Sequence, residues 1–309
     1  MAISSVPFMQ IPTWAETAMD WSRVSRVETG IVCGAIQKSA SSDFHDQLAK
    51  GPALRELQKT ELTLAWWERP MYERLLTRWL ADVPRDSVVV DWGCGDGRFV
   101  ELLCRLDFTK IIAVEPHFGA LNSLRNWAFE SGNERKVAFV HSDIGGAPLT
   151  PGCADLALAL GVLYYTNQEF ESNLSAVVRS VKPGGNFIDS QPSLAGAATL
   201  ALLYEGVDEL ITTISKCSWP ERNGEKLSRF RAFGESEIEA LYESAGLTEL
   251  NRQSLSLLPI LLRIEMVRGR ISADELLARK DEIVDALYRC ETETESAGLI
   301  ARKHKRAEK

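Results

Sequence analysis

Gly93, Gly95 and Gly97 stand at alternate positions between an apolar, β-branched run and a stretch that resumes at helical spacing. No other feature of the chain restricts its fold as tightly. Ser87-Val88-Val89-Val90 suits a parallel strand covered on both faces, and Arg98-Phe99-Val100-Glu101-Leu102-Leu103 continues as a helix. The glycines therefore occupy a strand-to-helix turn. Without a Cβ they reach positive φ and admit a ligand close to the backbone, while the unpaired amides of the new helix face any carboxylate or phosphate placed there. The turn reads as a nucleotide-cofactor loop.

Spacing narrows the choice of cofactor. A dinucleotide fingerprint, G-x-G-x-x-G, would need its third glycine where Arg98 stands, so that pattern fails. A second apolar strand at 110–114 ends on Glu115 and Pro116, and an acidic residue at about this distance from the loop meets a ribose in doubly wound folds. Residues 118–129 read as a helix and 136–140 as a third strand, which leaves through His141-Ser142-Asp143-Ile144. Residues 155–160 make a fourth strand, and Gly161-Val162-Leu163-Tyr164-Tyr165 departs from its carboxyl end, where ligands of such sheets bind.

Asp91-Trp92-Gly93-Cys94-Gly95-Asp96-Gly97 resembles motif I of the class I S-adenosylmethionine-dependent methyltransferases. The resemblance implies an α/β, doubly wound, mostly parallel seven-stranded sheet, the Rossmann-like methyltransferase fold, over roughly residues 60–303. It implies S-adenosylmethionine as cofactor, held by Asp91, Gly93, Cys94, Gly95, Gly97, Glu115, Pro116, Asp143, Ile144, Gly161 and Val162. Within that set Asp143 would accept from the adenine amine, with Ile144 beside the ring. Further on, a helix at 174–181 stops at Lys182-Pro183-Gly184-Gly185, a turn also similar to the family's, before a strand at 186–189. A helix at 233–241 with Ser236 as N-cap precedes a sixth strand from Leu247, and 297–303 is the last strand, antiparallel in this family.

A net charge of −8 argues against a generic nucleic-acid binder. Arg302 to Arg306 reads as a short solvated basic end. The six cysteines show no C-x-x-C spacing and no nearby histidines, which disfavours zinc and a disulfide framework. No leader is evident and no apolar run approaches a membrane span; residues 255–266 carry Pro259 and Arg263. The expectation is a reduced, cytoplasmic protein without a metal and without membrane insertion.

Three segments exceed the minimal fold. Residues 1–50 read as an arm or loose helices. Residues 52–80 repeat Leu54, Leu57, Leu62, Leu64, Trp67, Met71, Leu75, Leu76 and Trp79 near helical spacing, either as core or as a lid. The domain organisation expected is therefore an arm and helical lid at 1–80 and a methyltransferase domain at 81–309, with helical insertions at about 193–230 and 257–292. Residues 193–216 are expected to be helical, as are 257–262 and 273–288. The apolar faces of the last two need a cover, supplied by the acceptor pocket or by a second copy of the chain in a homo-oligomer.

Methyl transfer requires an acceptor held at near-attack distance with water excluded, and a base only if the acceptor must lose a proton. Among the four histidines, His117 and His141 adjoin the expected cofactor residues, His304 lies in the tail, and His45 is in the loose N-terminal segment. Tyr164 and Tyr165 are better placed as catalytic candidates, to orient or deprotonate an acceptor or simply to wall its pocket. No Asn-Pro-Pro-Tyr, no cysteine nucleophile after a proline at the fourth strand and no paired-aspartate metal site is present. The resemblance is therefore strongest to small-molecule methyltransferases, including those of secondary metabolism, acting on oxygen, nitrogen or carbon of a partly apolar acceptor. Two other classes stay open: a catalytically silent cofactor-binding regulator and a NAD-dependent oxidoreductase.

Overall fold

A computed structural model of the protein describes residues 10–36, 64–223, 226–255, 262, 265–266, 268–291 and 298–308. In chain order, helix α1 (Thr13–Glu16) and strands β1 (Arg26–Glu28) and β2 (Ile31–Cys33) precede helix α2 (Leu64–Trp79). Strand β3 (Val88–Trp92), helix α3 (Arg98–Arg105), β4 (Lys110–Glu115), α4 (Phe118–Glu130), β5 (Val137–His141) and β6 (Ala154–Leu160) follow. Then come α5 (Phe170–Ser180), β7 (Val181–Pro192), α6 (Leu194–Tyr204), α7 (Val207–Lys216), β8 (Ser218–Asn223) and β9 (Lys226–Arg231). The chain closes with α8 (Glu235–Ser244), β10 (Leu247–Leu255), α9 (Ala273–Ala278), α10 (Lys280–Glu291) and β11 (Leu299–Arg306). All seven expected strands form, and the fold is mixed α/β with a mostly parallel sheet.

Two compact units divide the chain. The first comprises Met1–Ala53, Val83–Leu158 and Arg179–Lys182, with strands in the order β1-β2-β5-β4-β3-β6. Every pairing here is parallel except β1 with β2; Asp91 stands opposite Ala113, and Ala113 opposite Phe139. Val89, Val90, Ile111 to Val114, Val137 to Val140 and Leu156 to Leu158 are all buried. Strands covered on both faces need such continuous apolar runs, and each large side chain so buried stabilises the fold by about 1.5–3 kcal/mol.

The arm expected at the N-terminus is corrected in part. Residues 26–33 form a hairpin whose two turn residues, Thr29 and Gly30, have φ of 48° and 80°. Both central residues positive is the turn whose twist matches a hairpin. Ile31, Val32 and Cys33 are buried because β2 adds in parallel to β5, with Ile31 opposite Phe139. Residues 1–9 and 37–63, including His45 and the start of the expected 52–80 helix, lie outside the described residues.

The second unit comprises Leu54–Asp82, Ala159–Val178 and Pro183–Lys309. Its strands run β7-β11-β10, all antiparallel, with Asp189 opposite Arg302. Met71, Tyr72, Leu75, Leu76 and Trp79 of α2 are buried, as the helical spacing requires. The 193–216 segment splits at Gly206 into α6 and α7, and the insertion ends in the antiparallel β8–β9 hairpin, which periodicity did not reveal. Leu202, Val207, Ile211 and Ile214 keep an exposed apolar face. Leu276 of α9 and Val284 of α10 instead form a small core with Leu262, Met266, Ile271, Leu277 and Ile283, so this insertion largely covers itself. Most of the helix expected at 257–262 lies outside the described residues.

Two local expectations change. Helix α8 starts after Gly234, and Ser236 is not its cap. The basic end is solvated only in part: Lys305 is exposed, but Arg302 and His304 are 2% and 0% exposed, because β11 runs through the sheet interior. There Tyr242 donates to Asp189 Oδ2 at 2.5 Å, Gln191 Nε2 donates to the same oxygen at 2.8 Å, and His304 Nε2 lies 3.5 Å from Asp189 Oδ1.

Candidate active site

The glycine turn and the end of β4 in the first unit are tied together by the backbone. Gly93 and Cys94 donate their amides to the Val114 carbonyl at 2.8 and 3.1 Å, and Gly97 donates to the Cys94 carbonyl at 3.0 Å. Glu115 then grips both sides. Its Oε2 accepts from the Gly95 amide at 2.8 Å and its Oε1 from the His117 amide at 2.9 Å. Each oxygen keeps a lone pair for a further donor.

The glycines are not equivalent. Gly97, at φ 100°, ends the turn and opens α3; a Cβ there would stand 2.1 Å from Leu124 Cδ1. Its role is close packing of the turn on α4. A Cβ on Gly95, at φ 56°, would meet nothing within 4 Å, which leaves open space over the loop. Asp91 is buried and its Oδ2 has no hydrogen-bond partner.

Burial raises both carboxyls. The Asp91 carboxyl is pushed up to about 8, with Arg98 opposing the shift and Glu115 adding to it. Glu115 rises to about 7 for the same chief reason, against the pull of its two backbone amides. Burial also drives the Cys94 thiol well above its usual range, so Cys94 shapes the loop as an uncharged side chain.

The neighbouring histidines are occupied. His117 caps α4, its Nδ1 accepting from the Ala120 amide at 3.1 Å. His141 Nε2 lies 3.0 Å from the Pro116 carbonyl, which only accepts, so that nitrogen carries the proton. Burial lowers the His141 pKa, and the ring meets Phe118 edge-to-face with their centroids 5.2 Å apart.

Asp143 turns its Oδ1 to the Gly146 amide at 2.5 Å. Beside it, the N-terminal segment supplies contacts absent from the sequence reading: Ser142 Oγ donates to the Ala35 carbonyl at 2.7 Å, and the Gly34 amide to the His141 carbonyl at 3.1 Å. Gly34 and Gly146 allow this approach, since a Cβ on Gly146 would stand 2.3 Å from the Ala35 oxygen. Ile144 is half-buried in the same turn.

Cys94, the glycines and Glu115 are thus tied together by hydrogen bonds of the turn and β4, Asp91 is coupled to Glu115 and Arg98 through charge alone, and Pro116 takes the His141 ring, while Asp143 with Ile144 sits on the β5 exit. Gly161, Val162, Tyr164 and Tyr165 belong to the second unit. There the Tyr164 and Tyr165 rings lie 4.1 Å apart, and Phe230 of β9 meets Tyr165 edge-on at 4.6 Å. Among the described residues no group of three or more His, Cys, Asp or Glu could hold a metal ion. No helix among them is long and apolar enough to cross a membrane.

Residues 90–189, which carry this turn, match the family model described as a methyltransferase domain. This stretch carries a methyltransferase domain. No curated protein matches the sequence significantly. Among solved structures, the chain is similar to geranyl diphosphate C-methyltransferase from Streptomyces coelicolor A3(2), at 14% identity and TM-score 0.52 over 76% of this chain and 75% of that one. That enzyme was solved with Mg2+, geranyl-S-thiolodiphosphate and S-adenosyl-L-homocysteine. The 1,6-didemethyltoxoflavin-N1-methyltransferase of Burkholderia thailandensis, with S-adenosylhomocysteine bound, is 17% identical at TM-score 0.51, over 89% of this chain and 95% of that one. The [4+2]-cyclase SpnF is 15% identical at TM-score 0.51, over 76% and 80%. At these identities the likeness establishes the fold.

Proposed function

We propose that the protein is an S-adenosylmethionine-dependent methyltransferase acting on a small, partly apolar acceptor. The observation that carries this reading is the joining of Glu115 to the Gly95 amide beside the open face of the loop, with the buried Asp91 Oδ2 lacking a partner. These residues fit the cofactor. An orphaned buried carboxyl oxygen calls for a hydrogen-bond partner, and Glu115 retains lone pairs for ribose hydroxyls. Asp143 and Ile144 are assigned to the adenine, Gly93, Cys94, Gly97 and Pro116 to shaping the loop, and Gly161 and Val162 to the methyl end. Bound there, the sulfonium supplies an activated methyl group to a nucleophile.

The chain's own residues then bind, orient and exclude water. Tyr164 and Tyr165, with Phe230, offer aromatic surface suited to an apolar acceptor, and their phenols can orient it by hydrogen bonding. The two methyltransferases compared act at carbon and at nitrogen by name, so the fold leaves the acceptor atom open. We assign the exposed face of α7 to a cover supplied by the acceptor or a second copy of the chain, a role in secondary metabolism, and a cytoplasmic location.

A second reading is a chain that holds the cofactor without transferring its methyl. Likeness to a [4+2]-cyclase favours it, since different chemistry then occupies a similar fold. Calorimetric titration with S-adenosylmethionine, S-adenosylhomocysteine and NAD tests both. Micromolar binding of the first two, followed by acceptors gaining the mass of one methyl, supports methyl transfer. Binding without any acceptor gaining mass supports the second reading, and binding of NAD alone would overturn both.

A further inference from the structure

The exit of β6 is held by two buried hydroxyls. Gly161 donates its amide to Ser190 Oγ at 2.8 Å, and that oxygen lies 3.1 Å from the Tyr72 hydroxyl. Ser190, on β7, is fully buried, and Tyr72, on α2, nearly so. A buried strand position favours a β-branched apolar side chain, so a serine there contributes through the bonds it makes. One hydroxyl oxygen has lone pairs enough to accept from the amide and still bond the phenol.

Past Gly161 the chain arches. The Tyr165 amide returns to the Val162 carbonyl at 3.1 Å, and the Thr166 hydroxyl to the Leu163 carbonyl at 2.7 Å. The short helix at Leu163–Glu169 is broken at Asn167, with φ 48° and ψ −108°, a strained backbone for a residue other than glycine. Such strain persists only where flanking contacts over-determine the backbone. The arch carries Tyr164 and Tyr165, and its first anchor is the Ser190 hydroxyl.

We propose that Ser190 and Tyr72 are positioning residues, whose paired hydroxyls set the Gly161 turn and so the placement of Val162, Tyr164 and Tyr165 for ligand. This rests on the reading of that arch as the methyl end of the site. It makes α2 part of the machinery through one hydroxyl, and it separates the two roles of that helix: its apolar face builds core, and Tyr72 holds the arch.

Ser190→Ala and Tyr72→Phe each remove one hydroxyl and leave the packing nearly intact. Gln253→Ala is the control, since it removes a part-buried bond of the same unit, from Arg78 at 2.7 Å. Two readouts are taken at a temperature where all variants are folded: hydrogen exchange of the 161–167 amides, and calorimetric affinity for S-adenosylhomocysteine. Ser190→Ala should speed exchange in the arch at least tenfold and weaken binding about fivefold or more, Tyr72→Phe should do both to a smaller degree, and Gln253→Ala should do neither while lowering the melting temperature. Unchanged exchange overturns the proposal. Faster exchange with unaltered affinity overturns it too, reducing the pair to core hydrogen bonding. A wild-type protein that binds no S-adenosylhomocysteine would instead overturn the cofactor reading, and exchange would still decide whether the hydroxyls anchor the arch.

Discussion

Glu115 Oε2 accepts the Gly95 amide at 2.8 Å while Oε1 accepts that of His117, so the carboxylate expected to meet a ribose also builds the loop that receives it. Binding and loop geometry are therefore not separable at this residue. Glu115→Ala should weaken affinity for S-adenosylmethionine by about 1–3 kcal/mol and lower the melting temperature as well, because two part-buried amides lose their acceptor. Glu115→Gln should also lose stability, since its amide nitrogen must face one of two N–H donors. Calorimetry and thermal unfolding of the two variants check this; unchanged affinity in Glu115→Ala would remove the ribose role.

Raised carboxyl pKa values make stability fall with pH. Asp91 and Glu115 ionise at about 4 when unfolded and at about 8 and 7 when folded, so between these limits the native state binds more protons than the unfolded one. Their contribution is most favourable below about pH 4 and declines as pH rises, by at most about 1.4 kcal/mol per pH unit for each group. Relative to Asp91→Asn, the ligand-free wild type should lose melting temperature between pH 5 and 8; parallel curves would refute the assignment.

Affinity should run the other way. Ribose hydroxyls donate more strongly to a carboxylate than to a neutral acid, so S-adenosylhomocysteine binding should tighten as pH rises through about 7 and should release a proton. Calorimetry in buffers of different ionisation heat counts that proton. Glu115→Gln should show none from this group.

Gly95 and Gly97 should respond differently to alanine. Gly97→Ala places a Cβ 2.1 Å from Leu124 Cδ1 at φ 100°, which combines backbone strain with overpacking and should cost about 2–5 kcal/mol. Gly95→Ala meets no atom and should cost about 1–2 kcal/mol, while blocking the open face and reducing cofactor affinity. Chemical denaturation with parallel titrations distinguishes the pair, and equal stability losses would count against this division of roles.

The buried Asp189 should depend on Tyr242. Removing the phenol in Tyr242→Phe deprives a fully buried carboxyl of its 2.5 Å donor and should cost about 1–3 kcal/mol. Asp189 faces His304 and Arg302 across β11, so the loss should be smaller when Asp189→Asn is already present. A double-mutant cycle in urea reads the coupling.

The central strands, the glycine turn and Glu115 were legible because each is a local pattern: continuous apolar runs, alternate glycines, an acidic residue at a strand exit. Other features left weaker traces. Thr29-Gly30 is a two-residue hairpin signal, but the strands beside it are so short that the run resembles a loop. The β8–β9 hairpin and Gly206 split what apolar spacing presents as one helix. Arg302 and His304 look like a charged end because sequence cannot show that their strand has neighbours on both sides.

Sequence by itself determined the fold class and the glycine turn, since strand patterning and glycine backbone freedom are set within a few positions of the chain. Only tertiary structure decided the rest: that Glu115 holds Gly95, that Gly34 lets residue 35 bond the Ser142 turn, and that Tyr72 meets Ser190. The physical reason is distance along the chain. A hydrogen bond needs donor and acceptor within about 3 Å, and residues 118 positions apart reach that separation only after the sheet and its helices have packed.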